Sequence, residues 1–101
     1  MQRITVQDGH ERLKKGELLN LVDVREPGEH AEFNIGGFLV PLGKIQQMQV
    51  DELENLKNEE LICYCRSGNR SGQACLMLDM MGFTNTKNLE GGMLAWKEKI
   101  G

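Results

Sequence analysis

The chain has 101 residues, enough for one compact domain and too few for two. Hydrophobic residues make up 40% and charged residues 27%, the proportions of an ordinary globular protein, and a net charge of −3 argues against a general nucleic-acid binder. No apolar run approaches the roughly 20 residues a membrane span needs, and Met1 to Thr5 has no apolar signal-peptide core, so the expectation is a cytoplasmic chain with no membrane partner.

In chain order, Ile4 to Val6 predicts a short strand, and Gln7 to Lys15 a helix stopped at Gly16. Leu18 to Val24 is nearly all apolar, as expected of a central buried strand. Pro27 suits the first turn of a helix that would run to Glu32. Phe38 to Val40 predicts a third strand, ended by Pro41. Leu42 to Leu56 has helical spacing at Leu42, Ile45, Met48, Leu53 and Leu56, in one piece or two. Leu61 to Cys65 predicts another buried strand, Arg66 to Asn69 a glycine-containing loop, and Arg70 onward a helix apolar on most faces and halted at Gly82. Thr84 to Leu89 then predicts a last strand and Gly91 to Ile100 a last helix. Strands alternate with helices, so residues 1–101 are expected to form one α/β domain. Its sheet would be mainly parallel, of about five strands, with helices on both faces.

Three cysteines, Cys63, Cys65 and Cys75, are an odd number for a disulfide framework. The Cys63-Tyr64-Cys65 spacing has no second Cys or His cluster nearby, so no metal site is expected. Cys65 is different from the other two. A strand places it at a carboxyl end, where ligands bind in open α/β sheets. Arg66-Ser67-Gly68-Asn69-Arg70 then leads into a helix N-terminus, whose unpaired N–H groups favour an anion. Gly68 allows the loop to curl so that N–H groups point inward, and Arg66 and Arg70 add positive charge. Ser67 and Ser71 offer further hydrogen bonds. This setting should lower the thiol pKa of Cys65 and give it a thiolate near neutral pH. A lone cysteine at a strand end is ordinarily a small buried hydrophobe, but a core cysteine needs no two arginines and helix N-terminus around it. Cys63 and Cys75 lack those surroundings and read as core.

The segment Cys65-Arg66-Ser67-Gly68-Asn69-Arg70-Ser71 resembles the active-site loop of single-domain bacterial rhodaneses, the thiosulfate sulfurtransferases. The likeness continues at Leu21-Val22-Asp23-Val24-Arg25-Glu26, at Leu61-Ile62-Cys63-Tyr64, at Gly82-Phe83-Thr84-Asn85 and at Leu89-Glu90-Gly91-Gly92-Met93-Leu94-Ala95-Trp96. It departs at Phe33-Asn34-Ile35-Gly36-Gly37-Phe38, where the family often has Gly-His-Ile-Pro-Gly-Ala. That difference bears on substrate preference. The resemblance implies a three-layer rhodanese-like sandwich. It also implies sulfur transfer through a persulfide on Cys65, with no cofactor or metal. The donor would be thiosulfate or another small anionic sulfur donor, and the acceptor cyanide, a thiol or a sulfur-acceptor protein. Arg66, Ser67, Gly68, Asn69 and Arg70 would bind substrate, with Asp23, Arg25 and Ser71 in support. For Asp23, bonding to the active-site loop and capping the Pro27 helix both stay open. A carrier delivering sulfur to a dedicated partner would use the same site. A related phosphatase or arsenate reductase is disfavoured, because the loop from Cys65 to Arg70 is one residue shorter than a Cys-x5-Arg loop. Phe83 and Trp96 read as packing, Asp51 to Glu60 as a solvated face, and Met77, Met80 and Met81 as core filling.

Overall fold

In a computed structural model that describes residues 1–101, five strands form one sheet in the order β1-β5-β4-β2-β3, every pair parallel. The strands are β1 (Gln2–Ile4), β2 (Asn20–Asp23), β3 (Phe38–Leu39), β4 (Leu61–Tyr64) and β5 (Thr86–Leu89). Between them run α1 (Val6–Lys14), α2 (Pro27–Glu32), α3 (Leu42–Gln46), a 3-10 turn (Asp51–Leu56), α4 (Asn69–Met80) and α5 (Gly92–Lys99). The alternating pattern gave the right class of fold, and the differences lie at element ends.

The first strand ends sooner than its apolar pattern suggests. Thr5 caps α1, its hydroxyl accepting from the Asp8 N–H at 3.1 Å, so Val6 buries itself as the first helical residue. β2 begins at Asn20 rather than Leu18, because its pairing with β4 starts at Asn20 opposite Leu61. Leu18 lies before the sheet and is 98% exposed. The Leu42–Leu56 stretch forms two pieces, with Met48 at φ 60° between them.

Two layers of side chains cover the sheet. Along β4, Leu61, Cys63 and Cys65 enter one apolar cluster while Ile62 and Tyr64 enter the other, the alternation a strand imposes. The first cluster is closed by Ile45, Leu53, Ala74, Cys75, Leu78 and Phe83, the second by Val6, Leu89, Met93 and Trp96. Helix α4 contributes Ser71, Ala74, Cys75 and Leu78, an i, i+3, i+4, i+7 stripe. The helix is therefore apolar on one face, not most of them. Met77 and Met81 pack at its margin, whereas Leu76 and Met80 point outward, so Met80 is not core filling. No helix is long and apolar enough to cross a membrane.

Candidate active site

The carboxyl ends of the three central strands meet at one edge of the sheet. β4 delivers Cys65, β2 delivers Asp23 and Arg25, and β5 delivers Asn88 ahead of the Gly91-Gly92 turn. Gly68, at φ 97°, is the N-cap of α4, a conformation few residues other than glycine adopt. It folds the loop back so that its own N–H and that of Ser71, in the first turn of the helix, reach the sulfur. Cys65 Sγ accepts from Gly68 N at 3.1 Å and Ser71 N at 3.4 Å, with Ser71 Oγ also at 3.4 Å. The N–H groups of Arg66, Asn69 and Arg70 find no acceptor within the protein.

Burial raises the thiol pKa of Cys65. The contact with the Ser71 hydroxyl and the bonds from the N–H groups of Ser71, Gly68 and Ser67 outweigh it, and the net shift is downward. The arginines have a smaller part in this than their number suggests. Arg70 is held by Glu29, Nη1 to Oε1 at 2.8 Å and Nη2 to Oε2 at 2.9 Å. The Arg70 guanidinium keeps the Glu29 carboxyl at about 2, below its ordinary 4.5. Arg66 has no carboxylate partner and lines a cleft of about 200 Å³ with Arg25, Glu29, Phe33, Leu94 and Lys97. Ser67, Gly68 and Asn69 border a second, wholly polar cleft with Arg3, Asn88 and Glu90. The loop thus separates two clefts.

Helix α5 braces the loop from behind. Its N-terminal Met93 N donates to Cys65 O at 2.9 Å, and Leu94 N donates to Arg66 O at 3.0 Å. Each bond pairs an otherwise orphaned helix N–H with a loop carbonyl. Gly92, at φ 55°, allows this approach, because a Cβ there would stand 2.4 Å from Cys65 O.

Asp23 and Arg25 form a buried frame beside the site. Asp23 has no exposed surface and accepts from Arg25 N, Nε and Nη2 at 3.1, 2.9 and 2.8 Å, with His30 Nδ1 at 2.8 Å. It neither bonds the active-site loop nor caps α2, whose N-cap is Glu26. Burial raises the Asp23 carboxyl, and its bonds to Arg25 and His30 bring it below the ordinary value. Arg25 also donates to Phe33 O at 2.5 Å, and Tyr64 Oη donates to Gly36 O at 2.9 Å. The departing segment Phe33–Phe38 is therefore tied to the ends of β2 and β4, and its Phe33 lines the Arg66 cleft.

Cys65 to Ser71 form one loop at the helix N-terminus, with Gly68 and Ser71 on the sulfur, Arg66 on one cleft, Ser67, Gly68 and Asn69 on the other, and Arg70 held by Glu29. Four partners were not legible in the sequence: Glu29, His30, Asn88 and Gly92. A signal existed for Asn88, since an amide in a buried strand needs a hydrogen-bonding partner. Cys63 and Cys75 lie fully buried in the first cluster, and the contact with Cys75, together with burial, raises the Cys63 thiol. No group of three His, Cys, Asp or Glu side chains is arranged to hold a metal ion.

A family model described as "Rhodanese-like domain" matches residues 5–99. The chain is 42% identical over 89 residues to YtwF of Bacillus subtilis, covering 86% of this chain and 82% of that protein. It is 37% identical over 86 residues to a protein of Allochromatium vinosum named "Sulfurtransferase", covering 85% and 78%. A rhodanese-like domain protein of Staphylococcus aureus, solved by crystallography, superposes with a TM-score of 0.80 at 32% identity, over 95% of this chain and 91% of that one. Another relative, slr1261 of Synechocystis, is longer, and the chain spans 48% of it.

Proposed function

The chain belongs to the rhodanese-like domain family, and from that membership we propose that it moves sulfane sulfur through a persulfide on Cys65, with thiosulfate as one donor. Its relatives place it among transferases of the rhodanese type. The observation that carries the finer reading is the pair of N–H donors on Cys65 Sγ, Gly68 N and Ser71 N, with Ser71 Oγ beside them. Such donors favour an anionic sulfur.

The first step is displacement at sulfur. The Cys65 thiolate contributes the electron pair for a new S–S bond to the outer sulfur of thiosulfate. The donor's own S–S bond breaks, and its pair leaves with sulfite. Charge is conserved, since thiolate and thiosulfate give a persulfide anion and sulfite. The N–H groups of Arg66, Asn69 and Arg70 are free to receive the new terminal sulfur. Arg66, without a carboxylate partner, attracts the anionic donor, while Arg70, bound to Glu29, mainly holds α2 against the loop. In the second step cyanide or a thiolate attacks the outer sulfur and releases the Cys65 thiolate. The order is ping-pong, with covalent catalysis and no general base.

A steady-state assay of sulfur transfer from thiosulfate to cyanide tests this. Turnover is expected for the wild type and none for Cys65→Ala. The same protein should not hydrolyse p-nitrophenyl phosphate. Phosphatase turnover that depends on Cys65, without sulfur transfer from any donor, would replace this reading with the phosphatase one.

A further inference from the structure

Asn88 sits at the carboxyl end of β5, opposite Cys63 in register, and is 9% exposed. Its amide makes two bonds. Nδ2 donates to Gly68 O at 3.0 Å, and Oδ1 accepts from Ser71 Oγ at 2.5 Å. Gly72 leaves room for it, since a Cβ there would lie 3.3 Å from Asn88 Nδ2.

These partners fix the direction of one proton. A carbonyl only accepts, so the NH₂ group of Asn88 must face Gly68 O. Oδ1 therefore faces Ser71, and it too only accepts. The Ser71 hydroxyl has a single proton, which must point at Asn88. Its oxygen then presents a lone pair to Cys65 Sγ, 3.4 Å away. Around a thiol this forms an ordered chain, with S–H donating to Ser71 Oγ and O–H donating to Asn88 Oδ1. Around a thiolate, Ser71 must turn its proton to sulfur and leave Oδ1 without its donor, or keep it and face the anion with a lone pair. Both cost free energy.

We propose that Asn88 is a positioning residue that restrains the ionisation of Cys65 by holding the Ser71 proton. The restraint has a chemical use. A thiolate too heavily stabilised by donors is a poor nucleophile, and attack is best when the thiol ionises near ambient pH. Gly68 and Ser71 N–H groups favour the anion, and Asn88 withholds the third donor.

The titratable and charged groups on the elements packed about this site are Arg66 on the same loop, Cys63 on β4, Arg70 and Cys75 on α4, Glu29 and His30 on α2, the Asp23–Arg25 pair from β2, Lys97 on α5, and Arg3 of β1 and Glu90 after β5, which share the polar cleft with Asn88. None hydrogen-bonds Ser71 or Asn88.

The inference rests on Cys65 being the nucleophile, yet its test reads ionisation and needs no turnover. The rate of Cys65 alkylation by iodoacetamide, followed by peptide mass spectrometry across pH, gives its thiolate fraction. Asn88→Leu removes the acceptor and frees Ser71 to donate to sulfur. The thiolate fraction below the midpoint should rise roughly three- to tenfold, the worth of one neutral hydrogen bond. The rise should vanish in Asn88→Leu combined with Ser71→Ala. A purely structural Asn88, tethering Gly68, predicts the opposite sign, because a loosened loop withdraws the Gly68 N–H from sulfur. Asn88→Val, whose side chain suits a strand, carries the same prediction should Asn88→Leu fold poorly. A fall or no change in thiolate fraction in a folded variant, or a rise that survives Ser71→Ala, would overturn the proposal.

Discussion

Gly92→Ala tests whether α5 holds the catalytic loop in place. The new Cβ would lie 2.4 Å from Cys65 O and 2.7 Å from both C and O of Arg66, against backbone that no rotamer change can move aside. The helix and the loop would have to separate by roughly 1 Å to restore van der Waals contact. That separation stretches the Met93 N to Cys65 O and Leu94 N to Arg66 O bonds, each worth about 1 kcal/mol. A φ of 55° adds about 1 kcal/mol for a residue with a Cβ. The expected loss of stability is therefore about 3 kcal/mol, read as a lower urea midpoint at unchanged slope. Sulfur transfer, measured where the variant is still folded, should fall by at least about tenfold as the Gly68 N–H leaves the sulfur. Gly28→Ala is the reference, because Gly28 has ordinary φ in α2 and no atom within 4 Å of its would-be Cβ. It should change stability by less than about 1 kcal/mol. If Gly92→Ala matched Gly28→Ala in stability and rate, the bracing by α5 would be refuted.

Asp23→Asn should cost about 3–5 kcal/mol in urea denaturation, since it leaves the buried Arg25 guanidinium without its countercharge; a loss under 1 kcal/mol would show the frame to be dispensable. Glu60 is held at about 2, against an ordinary 4.5, first by Arg12, with burial opposing and Lys87 assisting. Its folded value lies below its unfolded one, so its contribution is complete above pH 4.5 and is lost as pH falls toward about 2. Glu60→Gln should therefore flatten the acid limb of an unfolding profile by about 1 kcal/mol, a figure reduced for partial exposure, and an unchanged acid limb would contradict it. Arg66→Ala should lower kcat/KM for thiosulfate about ten- to a hundredfold more than for a neutral donor. Arg70→Ala should show less of that difference, since Arg70 is already paired with Glu29; equal discrimination by both variants would return Arg70 to the role of donor-binding group.

What could be read in the sequence was whatever depends on neighbours along the chain. Cys65 to Ser71 is contiguous, so the strand end, the left-handed glycine and the helix N-terminus all follow from local order. The alternation of β4 also follows, and it places Cys63 and Cys65 on one face and Tyr64 on the other. Pairings over long separations did not follow. Glu29 lies 41 residues from Arg70 in the chain, and its capture of that arginine required knowing that α2 reaches the loop. The sequence leaves Asp23 open between two roles, and the structure gives it a third, because His30 of α2 turns back to it. The strand ends shifted for a similar reason. Leu18 has the apolarity of a strand residue, but β4 offers it no partner. Met80 faces outward despite its apolarity, because helical periodicity, and not apolarity alone, decides which side faces the core.

The persulfide itself is the most direct object of measurement. Intact mass spectrometry after incubation with thiosulfate, and separately with an organic persulfide, should show the protein heavier by one sulfur atom. Cyanide should remove that atom. Cys65→Ala should never acquire it, while Cys63→Ala and Cys75→Ala should acquire it as the wild type does. Loading that persists without Cys65, or disappears when Cys63 alone is replaced in a folded variant, would contradict the assignment of Cys65 as the sulfur-bearing residue.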